Sequence, residues 1–219
     1  MRIMSVNELR DALKVYFIMG SSNCQNKPSE VLSEAIVGGI TCFQFREKSK
    51  DTLSGKEKYA LAEELQFLCR QAKIPFIVND DIDLALAINA DGVHIGQEDE
   101  PALMVKEKIK DKILGVSVHN FEEATMAMKA GADYFGVGPI FPTKTKADAK
   151  EVQGVKIIQE LRAKGMMIPI VGIGGITSKN AAIVIEGGAD GVSVISAISQ
   201  DENPQKAAAT LKEKVMLTS

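Results

Sequence analysis

Two carboxylates, Asp80 and Asp99, follow two neighbouring apolar runs, Phe76–Asn79 and Gly92–Ile95, so their oxygens can converge. Hard oxygen donors without a histidine suit Mg²⁺, which keeps part of its water shell and shares phosphate oxygens. Asp80 and Asp81 also compete for the N-cap of a helix expected over 82–88. We read Asp80 as the ligand and Asp81 as the cap or as a support behind the ligand. Gln44, Arg46 and Lys48 alternate along the run before them, and alternate residues of a strand share a face. Arginine offers a planar fork to phosphate oxygens and lysine a compact charge. The alternative is a surface charge cluster, but an arginine within a strand is costly unless it meets a partner.

A second group of polar residues lies later in the chain. Thr143, Lys144, Thr145 and Lys146 set two hydroxyls beside two cations. Their connection, 141–153, is long for a strand-to-helix link, which fits a binding loop or lid as well as a solvated turn. Gly174-Gly175 lets backbone N–H groups approach an anion closely, and Ile195-Ser196 ends a later apolar run. His94 sits in an apolar run and reads as a satisfied core histidine. His119, just past Ser117, suits either acid–base work or a cap. No Ser-His-Asp or Cys-His pairing is present, so covalent catalysis is disfavoured. Two anion sites emerge: one with Mg²⁺, arginine and lysine for a diphosphate, and one lined by glycine for a monophosphate.

These side chains need a scaffold that brings them to one mouth. Apolar runs rich in Val, Ile and Phe predict strands over 15–19, 42–46, 76–79, 92–95, 113–118, 134–138, 168–172 and 191–195. Their continuous apolar character indicates strands covered on both faces. Amphipathic stretches separate them, as over 54–73, and Asn120 before Phe-Glu-Glu-Ala supplies an N-cap with acidic first-turn residues. Thr177 or Ser178 is expected to cap the helix through 181–186. Asn89-Ala-Asp-Gly-Val, Gly131-Ala-Asp-Tyr-Phe and Gly188-Ala-Asp-Gly-Val form a weak repeat that ends a helix in a left-handed residue and enters the next strand. Eight such units predict an α/β fold, one (β/α)₈ TIM barrel domain spanning 1–219, rather than an open doubly wound sheet. In that barrel the chemistry sits at the C-terminal ends of the strands, where the polar residues above fall.

Composition excludes other classes. The 219 residues are 45% hydrophobic and 25% charged, with 26 Lys+Arg against 29 Asp+Glu and a net charge of −3. That balance disfavours a nucleic-acid or membrane-surface binder. Cys24, Cys42 and Cys69 show no metal spacing and read as small thiols of a reducing compartment. The first apolar run, Val15–Met19, is too short to span a bilayer, and the acidic residues before it do not fit a signal peptide. A cytoplasmic protein with small-molecule partners is expected, and a homo-oligomer remains open.

The motifs resemble those of the thiamine-phosphate synthase (thiamine-phosphate pyrophosphorylase) family. They are Gln44-Phe-Arg-Glu-Lys48, Asn79-Asp80, Val93-His-Ile-Gly-Gln-Glu-Asp99, Gly138-Pro-Ile-Phe-Pro-Thr-Lys-Thr-Lys146, Val171-Gly-Ile-Gly-Gly-Ile176 and Gly191-Val-Ser-Val-Ile-Ser-Ala197. They stand in family order over nearly the whole chain. The resemblance implies a transferase that joins 4-amino-2-methyl-5-(diphosphooxymethyl)pyrimidine to 4-methyl-5-(2-phosphooxyethyl)thiazole or its carboxylated precursor. It implies that Gln44, Arg46, Lys48, Asn79, Ser117 and Lys146 hold the pyrimidine diphosphate, with Arg46, Ser117 and Lys146 catalytic, and that Phe45 and Glu47 are among the substrate-binding residues. It implies that Asp80 and Asp99 hold Mg²⁺, and that Thr143, Lys144, Thr145, Gly175, Ile195 and Ser196 hold the thiazole phosphate. Phe45 departs from the family's usual Leu, and its parity points it toward the helices. Two rivals are a related thiazole tautomerase and a non-catalytic phosphate sensor. The complete diphosphate and metal set argues against the first, and retention of both substrate sites against the second.

Overall fold

The computed structural model describes residues 4–48, 51–143 and 152–218. Eight parallel strands close into a barrel in sequence order: β1 (Val15–Met19), β2 (Cys42–Phe45), β3 (Phe76–Asn79), β4 (Gly92–Ile95), β5 (Ile113–Val118), β6 (Tyr134–Val137), β7 (Ile170–Ile173) and β8 (Gly191–Val194). The helices are α1 (Val6–Ala12), α2 (Pro28–Gly38), α3 (Gly55–Ala72), α4 (Ile82–Ala87), α5 (Ala102–Ile109), α6 (Phe121–Lys129), α7 (Lys156–Ala163), α8 (Ala181–Glu186), α9 (Ser196–Ser199) and α10 (Pro204–Met216). The expected (β/α)₈ architecture is present, with four strands shifted or shortened at their ends. β7 begins at Ile170 rather than 168 because Pro169 has no N–H to donate to a neighbouring strand.

Alternation along each strand sorts side chains into two layers. Phe17, Phe43, Phe45, Phe76, Val78, Val93, Leu114, Phe135 and Val192 face the helices and join the main apolar core. Tyr16, Cys42, Ile77, Ile113, Tyr134 and Val171 face inward and form a second cluster. Leu9 and Leu13, from α1 and the residue that caps it, join that inner cluster. The first helix therefore closes the N-terminal end of the barrel with leucines. It is itself held by a capping box in which Ser5 and Glu8 satisfy each other's backbone.

The repeated Asn/Gly-Ala-Asp segment tightens the same end. Asn89, Gly131 and Gly188 take φ of 53°, 88° and 100°, the left-handed helix exits expected. The aspartates that follow do more than mark the turn. Asp91 Oδ2 accepts from the Phe76 N–H at 2.9 Å, Asp133 Oδ2 from the Leu114 N–H at 2.8 Å, and Asp190 Oδ2 from the Ile170 N–H at 2.8 Å. Each thus ties the start of its own strand to the start of the strand before it.

Asn120 and Asp81 cap α6 and α4 as expected, accepting from the Glu123 and Leu84 N–H groups. The cap expected of Thr177 or Ser178 is corrected. Asn180 precedes α8, and its Oδ1 accepts from the Thr177 N–H at 2.8 Å. The chain turns once more after Thr177 before the helix begins, so the capping position falls three residues later. Cys42 and Cys69 are buried and Cys24 is half-buried, all three free thiols. Burial pushes their pKa values up, which leaves them weak nucleophiles. No helix among the described residues is long and apolar enough to cross a membrane.

Candidate active site

A cavity of ≈ 750 Å³ opens at the C-terminal ends of the strands. Arg46, Lys48, Asn79, Asp80, Asp99, Ser117, Thr143, Gly175, Ile195 and Ser196 all line it, although they are scattered along the chain from 46 to 196. Barrel closure gathers the strand ends into one ring.

Arg46 follows β2 directly and is 7% exposed. Its Nη1 lies 3.5 Å from the Lys48 carbonyl, and its side chain lines the cavity. Lys48 continues the same parity. Its Nζ stands between the two carboxylates, 2.5 Å from Asp80 Oδ2 and 3.2 Å from Asp99 Oδ1. Asp99 also accepts from the Gly96 N–H at 2.7 Å through Oδ2. The carboxylates therefore converge as expected and already select a cation.

Asp80 is held in an unusual backbone state. Its φ is 60°, and the Asp81 N–H donates to the Asn79 carbonyl at 2.7 Å, closing a tight turn around it. Its own N–H donates to the His94 carbonyl at 2.9 Å. A non-glycine residue in this region costs about 1–3 kcal/mol, and such residues cluster at functional sites. Burial, with the neighbouring Asp99 carboxylate, pushes the Asp80 pKa up to about 6, although Lys48 pulls it down. Burial acts upward on Asp99 too, but there the hydrogen bonds from Asp80, the Gly96 N–H and Lys48 prevail and hold it below the ordinary value. Burial lowers Lys48, yet the two carboxylates outweigh it and raise its pKa. Asp81 serves differently. Besides capping α4, it pairs with Lys58 Nζ at 2.6 Å.

The opposite side of the cavity is built from glycine and the end of β8. Gly174 and Gly175 take φ of 89° and 65°. A Cβ at Gly175 would also lie 2.5 Å from the Pro142 carbonyl oxygen, so both the turn and its packing require glycine. Asn180 braces this turn by donating from Nδ2 to the Gly175 carbonyl at 3.1 Å. Ile195 and Ser196 lead into the short helix α9. A glycine turn after β7 beside a short extra helix after β8 is the common phosphate-binding arrangement of this architecture.

Three residues of 44–48 have side chains engaged outside the cavity lining. Phe45 is buried toward the helices, with its ring 6.2 Å from that of Phe76. The Glu47 carboxylate accepts from the Ser21 backbone and hydroxyl and from the Leu53 N–H, bracing two loops. Both residues have the parity that points away from the mouth. Gln44 faces inward, is buried, and donates to the Tyr16 hydroxyl at 2.7 Å. Lys144, Thr145 and Lys146 lie outside the described residues.

His94 is satisfied, as expected: its ring nitrogens lie 2.9 Å from the Tyr134 hydroxyl and 2.9 Å from Ser117 Oγ. His119 Nδ1 lies 2.8 Å from Glu123 Oε2 at the start of α6, and the residue also lines the cavity. Other lining residues were missed. Ser193 lines the cavity from β8, and its buried Oγ has no hydrogen-bond partner among the described residues. It alternates with the apolar Val192 and Val194, a period-2 signal that could have singled it out. Asn23, on a short turn after β1, carried no such signal.

Residues 15–198 match the family model described as thiamine monophosphate synthase. A thiamine-phosphate synthase of Geobacillus kaustophilus is 61% identical over 208 residues, covering 95% of this chain and 94% of that protein. One from Bacillus thuringiensis subsp. konkukian is 57% identical over 212 residues, covering 97% of each. Among solved structures, a thiamine phosphate pyrophosphorylase from Pyrococcus furiosus superposes with a TM-score of 0.86 at 38% identity, covering 96% of this chain and 98% of that one. With its closed barrel, its two-sided polar mouth and these whole-length likenesses, the chain belongs to the thiamine monophosphate synthase family.

Proposed function

We propose that this chain is a transferase joining 4-amino-2-methyl-5-(diphosphooxymethyl)pyrimidine to 4-methyl-5-(2-phosphooxyethyl)thiazole, or its carboxylated precursor. The products are thiamine phosphate and diphosphate, with CO₂ from the carboxylated form. One observation carries the reading: a single cavity has a cationic and carboxylate end at Arg46, Lys48, Asp80 and Asp99, and a glycine end at Gly175 and Ser196. Two anionic substrates can therefore meet with their reacting carbon and nitrogen between the two ends.

The chemistry needs no strong protein base. The bond between the pyrimidine methylene and the diphosphate oxygen breaks, and both electrons leave with the diphosphate. The electron-rich aminopyrimidine stabilises the methylene cation. The thiazole nitrogen then forms the new C–N bond with its lone pair. Arg46 and Lys48 meet the charge that grows on the departing group, and Asn79 and Ser117 orient it. Lys146 is read, from the family resemblance, as a further cation for that group. Thr143, Lys144, Thr145, Gly175, Ile195 and Ser196 hold the thiazole phosphate.

Asp80 and Asp99 fit Mg²⁺. They offer hard oxygens around a point where the Lys48 ammonium already sits. A small donor set suits a cation that keeps waters and takes phosphate oxygens. When bound, Mg²⁺ supplies charge neutralisation for the diphosphate. The reading takes residues 1–219 as one domain and the protein as cytoplasmic. Incubating the purified protein with both substrates and Mg²⁺ should give thiamine phosphate and diphosphate in equal amounts. Failure to form either, or isomerisation of the thiazole alone, would overturn the assignment.

A further inference from the structure

From the cavity wall a chain of polar side chains crosses the barrel interior. Gln44 Nε2 donates to the Tyr16 hydroxyl at 2.7 Å. The Tyr16 and Tyr134 hydroxyls are 2.8 Å apart, Tyr134 lies 2.9 Å from His94 Nδ1, and His94 Nε2 lies 2.9 Å from Ser117 Oγ. Five strands, β2, β1, β6, β4 and β5, contribute one residue each. All five residues are buried. Gly115 on β5 makes the close approach possible, since a Cβ there would lie 2.3 Å from the Tyr134 hydroxyl and 2.5 Å from His94 Nδ1.

The chain has a direction. Each phenol carries one proton, and burial pushes both pKa values well above the ordinary range, so both stay protonated. Tyr16 accepts from Gln44, and donating its own proton to the Tyr134 oxygen is the arrangement that leaves no buried proton of the chain unpaired. Tyr134 must then donate to His94 Nδ1. With Nδ1 an acceptor, the neutral ring carries its proton on Nε2 and donates to Ser117 Oγ. Ser117 accepts within the barrel wall, and its hydroxyl proton is left to point elsewhere.

We propose that this relay makes Tyr134 and His94 positioning residues, which fix His94 as the Nε2–H tautomer and so turn the Ser117 hydroxyl proton toward the cavity, as a donor to the departing diphosphate. The last step rests on the proposed transferase reading; the tautomer does not. The opposite polarity would run every bond backwards. His94 would then carry Nδ1–H, Ser117 would donate to it, and only an oxygen lone pair would face the substrate.

The chain has only two histidines, so ¹⁵N-histidine labelling resolves both, with His119→Asn for assignment. At pH 8 the otherwise unmodified protein should show His94 as the Nε2–H tautomer. An Nδ1–H or doubly protonated ring would overturn the proposal without any variant in the relay. In Tyr134→Phe the tautomer should become mixed. Its kcat should fall about tenfold, less than for losing a transition-state donor outright, with KM for the pyrimidine changed little. In a Ser117→Ala background the same substitution should cost nothing further in kcat, because the relay acts only through that hydroxyl. An unchanged tautomer, or an undiminished kcat loss without Ser117, would overturn it. If the wild-type protein forms no thiamine phosphate, the proposed function fails while the tautomer measurement still decides the relay.

Discussion

The two ends of this barrel use the same residue type in opposite ways. At the N-terminal end Asp133 and Asp190 have their charge met. Asp133 pairs with Lys106 at 2.8 Å as well as with the Leu114 N–H. Asp190 holds Arg162 at 2.6 Å, Arg10 at 3.1 Å and the Ile170 N–H. At the C-terminal end Asp80 and Asp99 face each other and share one half-exposed lysine. Asp80 also sits in a strained backbone state and is pushed toward protonation. Carboxylates with full complements of donors hold strands together. Carboxylates short of positive charge are what the proposed Mg²⁺ and diphosphate site requires. This matches the general division of the fold, in which the bottom face serves stability and the top face chemistry.

The largest expected effect is at the top. Arg46→Ala should lower kcat/KM for the pyrimidine diphosphate about 10²–10³-fold, as for loss of one transition-state donor. Thermal unfolding should barely change. A large fall in Tm with kcat intact would show Arg46 to be a structural residue instead. At the bottom, Asp190→Ala should do the reverse. It strips an N–H and two arginines of their acceptor and should cost about 2–3 kcal/mol in urea unfolding, with kcat and KM near wild type. A selective loss of activity there would break the contrast.

Asp81 and Asp80 are adjacent and test the contrast at its finest. Asp81→Ala should cost about 0.5–2 kcal/mol of stability through the lost cap, and less activity than Asp80→Asn. The smallest effect is the sharpest in sign. The Asp80 pKa is raised from 3.8 to about 6, so its contribution to stability is present below pH 4 and is lost as pH rises through 6. Asp99 is lowered, so its contribution is lost only as pH falls below the ordinary carboxylate range, a separate window. In chelator, Asp80→Asn should therefore be more stable than wild type at pH 7–8, by about 1 kcal/mol after screening by Lys48, and the gain should vanish near pH 4. Asparagine tolerates the positive φ, so the backbone is not the variable. A gain independent of pH would refute the assignment of the charge as its source.

Much of this was legible in the chain because it depends on short-range periods. Apolar runs bounded by turn residues marked all eight strands, and Asn120 and Asp81 marked two helix starts, since a cap acts over three residues. Parity placed Arg46 and Lys48 on one face and turned Phe45 to the other. Parity does not say which inward residue meets which partner. Gln44 shares the inward face, and its amide meets the Tyr16 hydroxyl. The repeat was visible as a turn, whereas the bracing role of its aspartates was not, because their partners are backbone N–H groups 15, 19 and 20 residues away.

The sequence by itself therefore determined which residue types sit at each strand end and which way they face, because φ/ψ alternation and helix capping are local. Only the tertiary structure decided who meets whom. Tyr16 finds Tyr134 across 118 residues, and Lys48 reaches Asp99 across 51. Those contacts depend on the closed barrel and on the register between its strands, both set by packing of the whole outer apolar layer. No local pattern carries that information, so the direction of the interior relay and the shared lysine between two carboxylates emerge only once the ring is closed.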